Sequence, residues 1–260
     1  MTDLELALEL ADLADLISLD RYLASDLVVE SKPDLTPVSD ADKAVENEIR
    51  LQLAKVAADD GIIGEEFESS SSTNNREWIL DPIDGTKNFI RGVPVWATLI
   101  ALRVNGVITV GVVSSPALGR RWYASAAAGA FVIETVGGSK KVRRLAVSKV
   151  SKVSDASFAH SEIVKKDIWE GDYDNFLKLS NDVWRTRGYG DFWSYMLVAE
   201  GAVDFAIEPK LALWDMAALS VIVTEAGGSF TNLAGIAGVS GPGAIASNGL
   251  LHKELVSRFS

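Results

Sequence analysis

Apolar residues recur at helical spacing from the start of the chain, at Leu6, Leu10, Leu13 and Ile17 and again at Leu23 and Leu27. The spacing predicts one long amphipathic helix over about 3–31, broken by Lys32-Pro33-Asp34-Leu35-Thr36-Pro37. A second helix is expected over about 41–59, with Val45, Ile49, Leu53 and Val56 inward and Ser39, Asp40 and Asp42 at its mouth, where capping residues belong. The period then shortens. Gly61-Ile62-Ile63-Gly64 reads as a short strand ending in Glu65 and Glu66, and the serine-rich stretch Glu68 to Asn75 reads as a mobile loop. Trp78-Ile79-Leu80 delivers Asp81 to Pro82, which is expected to stop the strand.

The segment from Val93 to Val113 is apolar enough to suggest a membrane span, but Arg103-Val104-Asn105-Gly106 interrupts it with a charge and a hairpin turn. Two buried strands are the better reading. With Arg121 to Ala124 and Gly129 to Ile133 they predict an antiparallel sheet packed on the two N-terminal helices. A basic run, Lys140, Lys141, Arg143 and Arg144, marks an expected boundary between an N-terminal α+β domain, 1–145, and a C-terminal α/β domain, 146–260. Beyond it strand and helix alternate: a strand at Ser157 to His160, a helix from Asp172, a strand at Val183 to Arg187, a helix from Phe192 to Glu200, a strand at Val203 to Glu208, and a helix opened by Asp215.

Composition narrows the chemistry. The 260 residues contain no cysteine and only His160 and His252, so thiolate, histidine-cluster and Ser-His-Asp sites are poorly supplied and any metal site must be built from oxygen. A net charge of -11 argues against a nucleic-acid backbone as partner. The acidic start MTDLELALEL lacks the basic and apolar regions of a signal peptide, which together with the missing cysteines points to a cytoplasmic protein.

One stretch, Trp78 to Asn88 (WILDPIDGTKN), carries the chemistry. Asp81 and Asp84 converge if the chain turns between them, and the amides of Gly85 and Thr86 would open a helix, a favourable place for phosphate. Hard oxygen ligands beside an anion cradle suggest Mg²⁺ bridging protein and phosphate. Read alone, Asp-Pro-x-Asp-Gly is also good turn chemistry.

Gly64-Glu65-Glu66, then Trp78 to Thr86 with Asn88-Phe89, then Trp214-Asp215 with Ala217-Ala218 and Thr224 to Gly228 stand in an order and spacing that resembles the inositol monophosphatase-like family of Mg²⁺-dependent phosphatases, over nearly the whole chain. The resemblance implies a layered αβαβα sandwich with the site between its two parts, and a homodimer. It implies Glu65, Asp81, Asp84, Asp215 and the Ile83 carbonyl as ligands for two or three Mg²⁺ ions. It also implies a Thr86–Asp42 pair that orients the attacking water, and Gly85 and Thr86 amides that hold the phosphate.

Inositol-phosphate members carry small or hydroxyl residues where this chain has Gly190-Asp191-Phe192-Trp193. That pattern, with Leu197 to Gly201 and Ala246 to His252, resembles the histidinol-phosphatase branch. Histidinol phosphate carries an ammonium and an imidazole, which an acidic pocket attracts; Asp191 and Glu208 are the acids expected there, Asp191 having helix capping as its alternative role. An inositol phosphate, a sugar bisphosphate or a nucleotide 3'-phosphate is the alternative ester, the last kept open by Arg185 and Arg187. A cation-binding module without catalysis, or a scaffold, would leave the pairing of acids with a Gly-Thr turn without purpose.

Overall fold

The first helix starts where its capping box dictates. Thr2 N–H donates to Glu5 at 2.7 Å while the Thr2 hydroxyl accepts from Glu5 N–H at 3.2 Å, so α1 (Asp3–Arg21) begins with its orphan donors satisfied. In the computed structural model, which describes residues 1–161, 169 and 171–259, α1 ends at Arg21, before the last two apolar positions of the helical spacing, Leu23 and Leu27. Arg21 turns its guanidinium onto Asp40 at 2.7 Å and Asp26 at 3.0 Å, and the Tyr22 hydroxyl donates to the Gly92 carbonyl at 2.7 Å. Those tertiary ties outweigh local helix propensity. The expected continuation is instead a hairpin of β1 (Val29–Ser31) and β2 (Pro37–Ser39).

Ser39 and Asp42 form a second capping box and open α2 (Asp40–Val56), whose Val45, Ile49 and Leu53 are buried; Val56, expected inward, is half exposed at the helix end. A seven-stranded sheet follows, in the order β3 (Gly61–Gly64), β4 (Arg76–Asp84), β5 (Ala97–Val104), β6 (Val107–Ser115), β7 (Arg120–Ser125), β8 (Gly129–Val136), β9 (Ser139–Arg144). Only its β3–β4 pair is parallel. Asn105 and Gly106 make the β5–β6 turn with φ of 50° and 84°, the doubly left-handed geometry of a two-residue hairpin. The basic run of residues 140–144 is the sheet's exposed edge strand, with Arg143 reaching Glu134 and Glu200. Ser70 N–H and C=O both bond Ile62, and the Ser72 hydroxyl accepts from Asn74 and Arg76, so the serine-rich segment is pinned across the end of β3.

Strand alternation divides this sheet's residues between two cores. Trp78, Leu80, Ile100, Leu102, Val110 and Val112 face α1 and α2. Ile79, Leu99, Ala101 and Val113 face α6 (Leu213–Glu225), a helix from the second half of the chain. A Cβ on Gly111 would lie 2.5 Å from Val221 Cγ1 and 2.7 Å from the Ala218 carbonyl, so glycine is what lets α6 lie against β6.

Beside α6 runs α5 (Asp191–Ala199), and below both lies a five-stranded sheet in the order β11 (Arg185–Gly188), β10 (Ser157–His160), β12 (Phe205–Glu208), β14 (Ala244–Ser247), β13 (Ser229–Thr231). Its outer face is covered by α4 (Tyr173–Asp182) and α7 (His252–Phe259) through Phe176, Leu179, Leu255 and Phe259. The stack is therefore helix, sheet, helix, sheet, helix, the αβαβα sandwich expected from the sequence. Among the described residues no helix is long and apolar enough to cross a membrane.

Candidate active site

Strand β4 does not stop at Pro82. It continues to Asp84, and Asp81 pairs with Leu99 while Asp84 pairs with Ala97, three residues against two. The extra residue is a bulge. In a regular strand, residues three apart point to opposite faces; the bulge at the proline, which has no N–H to offer the ladder, brings both carboxylates to one side. The turn itself comes at Gly85, with φ of 83°, and opens the single-turn helix α3 (Thr86–Ile90). A Cβ on Gly85 would meet the Val95 carbonyl at 2.9 Å and Asp191 Oδ2 at 3.2 Å.

Asp215 arrives from the first turn of α6 as its third residue and caps the helix from there, Oδ2 accepting from Ala212 N–H at 2.8 Å, which leaves its other oxygen for the cleft. One carboxylate oxygen from each of Asp81, Asp84 and Asp215 lies within 4.8 Å of the others. Burial raises the pKa of Asp81 and Asp84 well above the usual carboxylate value, and neighbouring acids push the same way: Glu65, Asp84 and Asp215 on Asp81, Asp191 and Asp215 on Asp84. Burial likewise lifts Asp215 to about 6. Asp81 Oδ1 is buried and has no hydrogen-bond partner. Three crowded acids and an orphaned carboxylate oxygen are an arrangement that could hold a metal ion, and hard oxygen donors at this spacing fit a small divalent cation.

Around this cluster opens a cleft of about 590 Å³ lined by Glu65, Asp81, Ile83, Asp84, Gly85, Thr86, Asp191, Glu208 and Asp215 among others. Asp42 lies just behind it. Its Oδ2 accepts from Ser39 N–H at 2.8 Å and its Oδ1 from the Thr86 hydroxyl at 3.3 Å, while that hydroxyl also stands 3.0 Å from the Ile83 carbonyl. Arg187 does not join the others. It is exposed on β11 with its guanidinium on the Thr186 carbonyl, because the chain enters the cleft one residue later, at Gly188.

Also lining the cleft, Glu208 is partly buried and accepts from the Ser161 hydroxyl at 2.9 Å. Burial, followed by the charge of Asp191, pushes its pKa up to about 8. Asp191 is the first residue of α5 and makes no helix-capping bond; its carboxylate instead takes the Asn88 amide at 3.0 Å. Its neighbour Phe192 donates its N–H to Asp84 Oδ2 at 2.7 Å. Phe192 and Tyr195 are buried in the central core, and Trp193 packs against it.

Three side chains here escaped the sequence reading. Lys32 reaches from the hairpin to within 2.7 Å of both Glu65 and Glu66. Fully buried Glu46 accepts from Glu66 N–H at 2.8 Å and from Arg50 at 2.8 Å, and so shapes the turn that presents Glu65. Ser161 joins Glu208 to the Asp191 backbone, whose N–H it accepts at 2.8 Å. Only Glu46 left a trace in the sequence, as a charge on the inward face of α2 between Val45 and Ile49.

Residues 3–260 match the inositol monophosphatase family. The chain is 52% identical over 260 residues to a histidinol-phosphatase of Mycobacterium tuberculosis, covering 99% of this chain and 98% of that one. It is 55% identical over 262 residues to a histidinol-phosphatase of Streptomyces coelicolor, covering 98% and 96%. Among solved structures it superposes on the extragenic suppressor protein suhB of Bartonella henselae with a TM-score of 0.87 at 28% identity, covering 98% of this chain and 97% of that one. On an IMPase of Thermotoga maritima the TM-score is 0.85 at 29% identity, covering 100% and 97%. Fold, motif order and full-length similarity agree: the chain belongs to the inositol monophosphatase family.

Proposed function

We propose that this protein is a Mg²⁺-dependent phosphomonoesterase that hydrolyses histidinol phosphate to histidinol and inorganic phosphate. The observation that carries the reading is one cleft with two acidic groups: the crowded Asp81, Asp84 and Asp215, and beside them Asp191 with Glu208. The first would hold two or three Mg²⁺ ions together with Glu65 and the Ile83 carbonyl. Bound there, Mg²⁺ supplies the positive charge that neutralises the phosphate, acidifies the attacking water and steadies the departing alkoxide.

The chain's own groups do the rest. Thr86 Oγ1 has one proton and two acceptors in reach, Ile83 O and Asp42 Oδ1. The hydroxyl would donate its hydrogen bond to Asp42 were the Ile83 carbonyl to serve as a metal ligand, leaving a Thr86 lone pair to accept from the attacking water and aim it at phosphorus. The Gly85 and Thr86 amides hold the phosphate oxygens at the left-handed turn, which a side chain on Gly85 would obstruct. Asp191 and Glu208 take the cationic leaving group, an ammonium lowering the pKa of Glu208 by pairing with it. Arg187 is exposed and does not line the cleft, which weakens the nucleotide 3'-phosphate alternative. By family resemblance the enzyme is a homodimer, and its net charge of -11 argues against a nucleic-acid backbone as partner.

Inorganic phosphate release from histidinol phosphate, inositol phosphate, fructose bisphosphate and adenosine 3',5'-bisphosphate, with and without Mg²⁺, tests this. Mg²⁺-dependent preference for histidinol phosphate is the expected result; preference for another ester refutes the substrate, and release without added metal from chelator-treated protein refutes the metal.

A further inference from the structure

Asn88 lies on α3, two residues past Thr86, and its side-chain amide has two N–H donors. Both are engaged: Nδ2 donates to the Val95 carbonyl at 2.9 Å and to Asp191 Oδ2 at 3.0 Å. The Val95 carbonyl accepts only a donor, so it fixes which way round the amide stands and thereby turns the same nitrogen toward Asp191. The partners are 103 residues apart in sequence.

Asp191 is held there under strain and under repulsion. Its φ of 48° is left-handed, a region that Asp enters more readily than most non-glycine residues but still at a cost. Its charge acts unfavourably on both Asp84 and Glu208. The Asn88 N–H is a donor set against that repulsion. With Phe192 N–H on Asp84 Oδ2 it forms a second tie between residues 191–192 and the turn of residues 84–88, so the start of α5 and the phosphate-binding turn are joined to each other directly.

We propose that Asn88 is a positioning residue for substrate selection, holding the Asp191 carboxylate at a fixed offset from the phosphate-binding turn so that esters are sorted by where the leaving group carries positive charge. The proposal rests on the assignment of Asp191 to the cationic leaving group made above. A hydrogen bond to a charged group is worth about 1.5–3 kcal/mol, so its loss predicts roughly a tenfold or greater effect on selection.

The experiment measures kcat/KM for histidinol phosphate and for glycerol 2-phosphate, a monoester with a neutral leaving group, in wild type, Asn88→Ala, Asp191→Asn and the double variant, at saturating Mg²⁺. Asn88→Ala is expected to lower the ratio of the two efficiencies about tenfold, chiefly through KM for histidinol phosphate, and to add nothing on the Asp191→Asn background. An equal fall for both esters, or additive effects in the double variant, overturns the positioning role. An unchanged ratio in Asp191→Asn overturns the cation-site assignment and the positioning role with it; a lowered ratio there beside an unchanged one in Asn88→Ala overturns the positioning role alone. Should Asn88→Ala fail to fold, Asn88→Ser, which is uncharged and too short to span from Val95 to Asp191, carries the same readout.

Discussion

The Lys32 ammonium stands 2.7 Å from Glu65, the acid that family resemblance makes a Mg²⁺ ligand. Burial works against the lysine's charge, but Glu65 and Glu66 outweigh it and hold its pKa above the ordinary lysine value. Lys32 and a metal ion therefore compete for one carboxylate. Lys32→Met is expected to tighten Mg²⁺ binding to the substrate-free protein by up to about fivefold, the weight of a partly exposed ion pair, as read by calorimetric titration. Weaker binding in the variant would mean that the lysine supports the site instead.

Without metal, the acid cluster makes the fold pH-sensitive in a definite direction. Folding raises Asp215 from 3.8 to about 6 and Glu208 from 4.5 to about 8, so the native state holds protons that the unfolded chain has released. Stability from these groups is fully present below their unfolded values and is lost as pH rises through their folded ones. Chelator-treated protein should therefore melt several degrees lower at pH 8.5 than at pH 5, at roughly 2–4 °C per kcal/mol for a chain of this size, and Mg²⁺ should restore the pH 8.5 value. Asp84→Asn should flatten the pH dependence while lowering hydrolysis by more than about a hundredfold. A flat melting profile for metal-free wild type contradicts this account.

Gly64 is glycine because of Glu46. A Cβ there would sit 2.0 Å from Glu46 Oε1, so Gly64→Ala must displace a fully buried carboxylate from Arg50 and from the Glu66 N–H. The expected cost is about 3 kcal/mol, that of disrupting a buried charged network. Urea unfolding measures it, and a change below about 1 kcal/mol would show that the loop gives way without penalty.

An ammonium ligand needs Glu208 ionised. Because its pKa stands at about 8, KM for histidinol phosphate should fall as pH rises from 6.5 to 8.5, and Glu208→Gln should remove that dependence while raising KM at the upper end. Steady-state kinetics across this range decide; a variant that keeps the wild-type slope assigns the titration to another group.

These residues also show what could be read in advance. The acids of the cleft were legible because two sit in one short motif and the others close two more, and the sheet's hairpin was legible because Asn105-Gly106 has a local geometric reason to turn. The β1–β2 hairpin was not, since its strands are only three residues long, β1 is exposed, and the helical spacing of Leu23 and Leu27 runs straight into them. Helix α1 ends through contacts with Asp40 and Gly92, made only once the chain is folded. The same holds for the contacts of Lys32 with Glu65, Ser161 with Asp191 and Asn88 with Asp191, which span 30 to 103 residues. Pro82 misled because a proline usually ends a strand, and here it sits in a bulge.

Helix α6 belongs late in the chain yet lies against the first sheet, bringing Asp215 to acids that were synthesised more than a hundred residues earlier. During translation, the motif at 81–86 emerges and can pair into its sheet long before its third carboxylate exists. An unfinished chain thus carries the most recognisable sequence of a phosphatase without the means to assemble its site. Any nascent or truncated product that ends before α6 docks is expected to be silent toward the cell's phosphate esters.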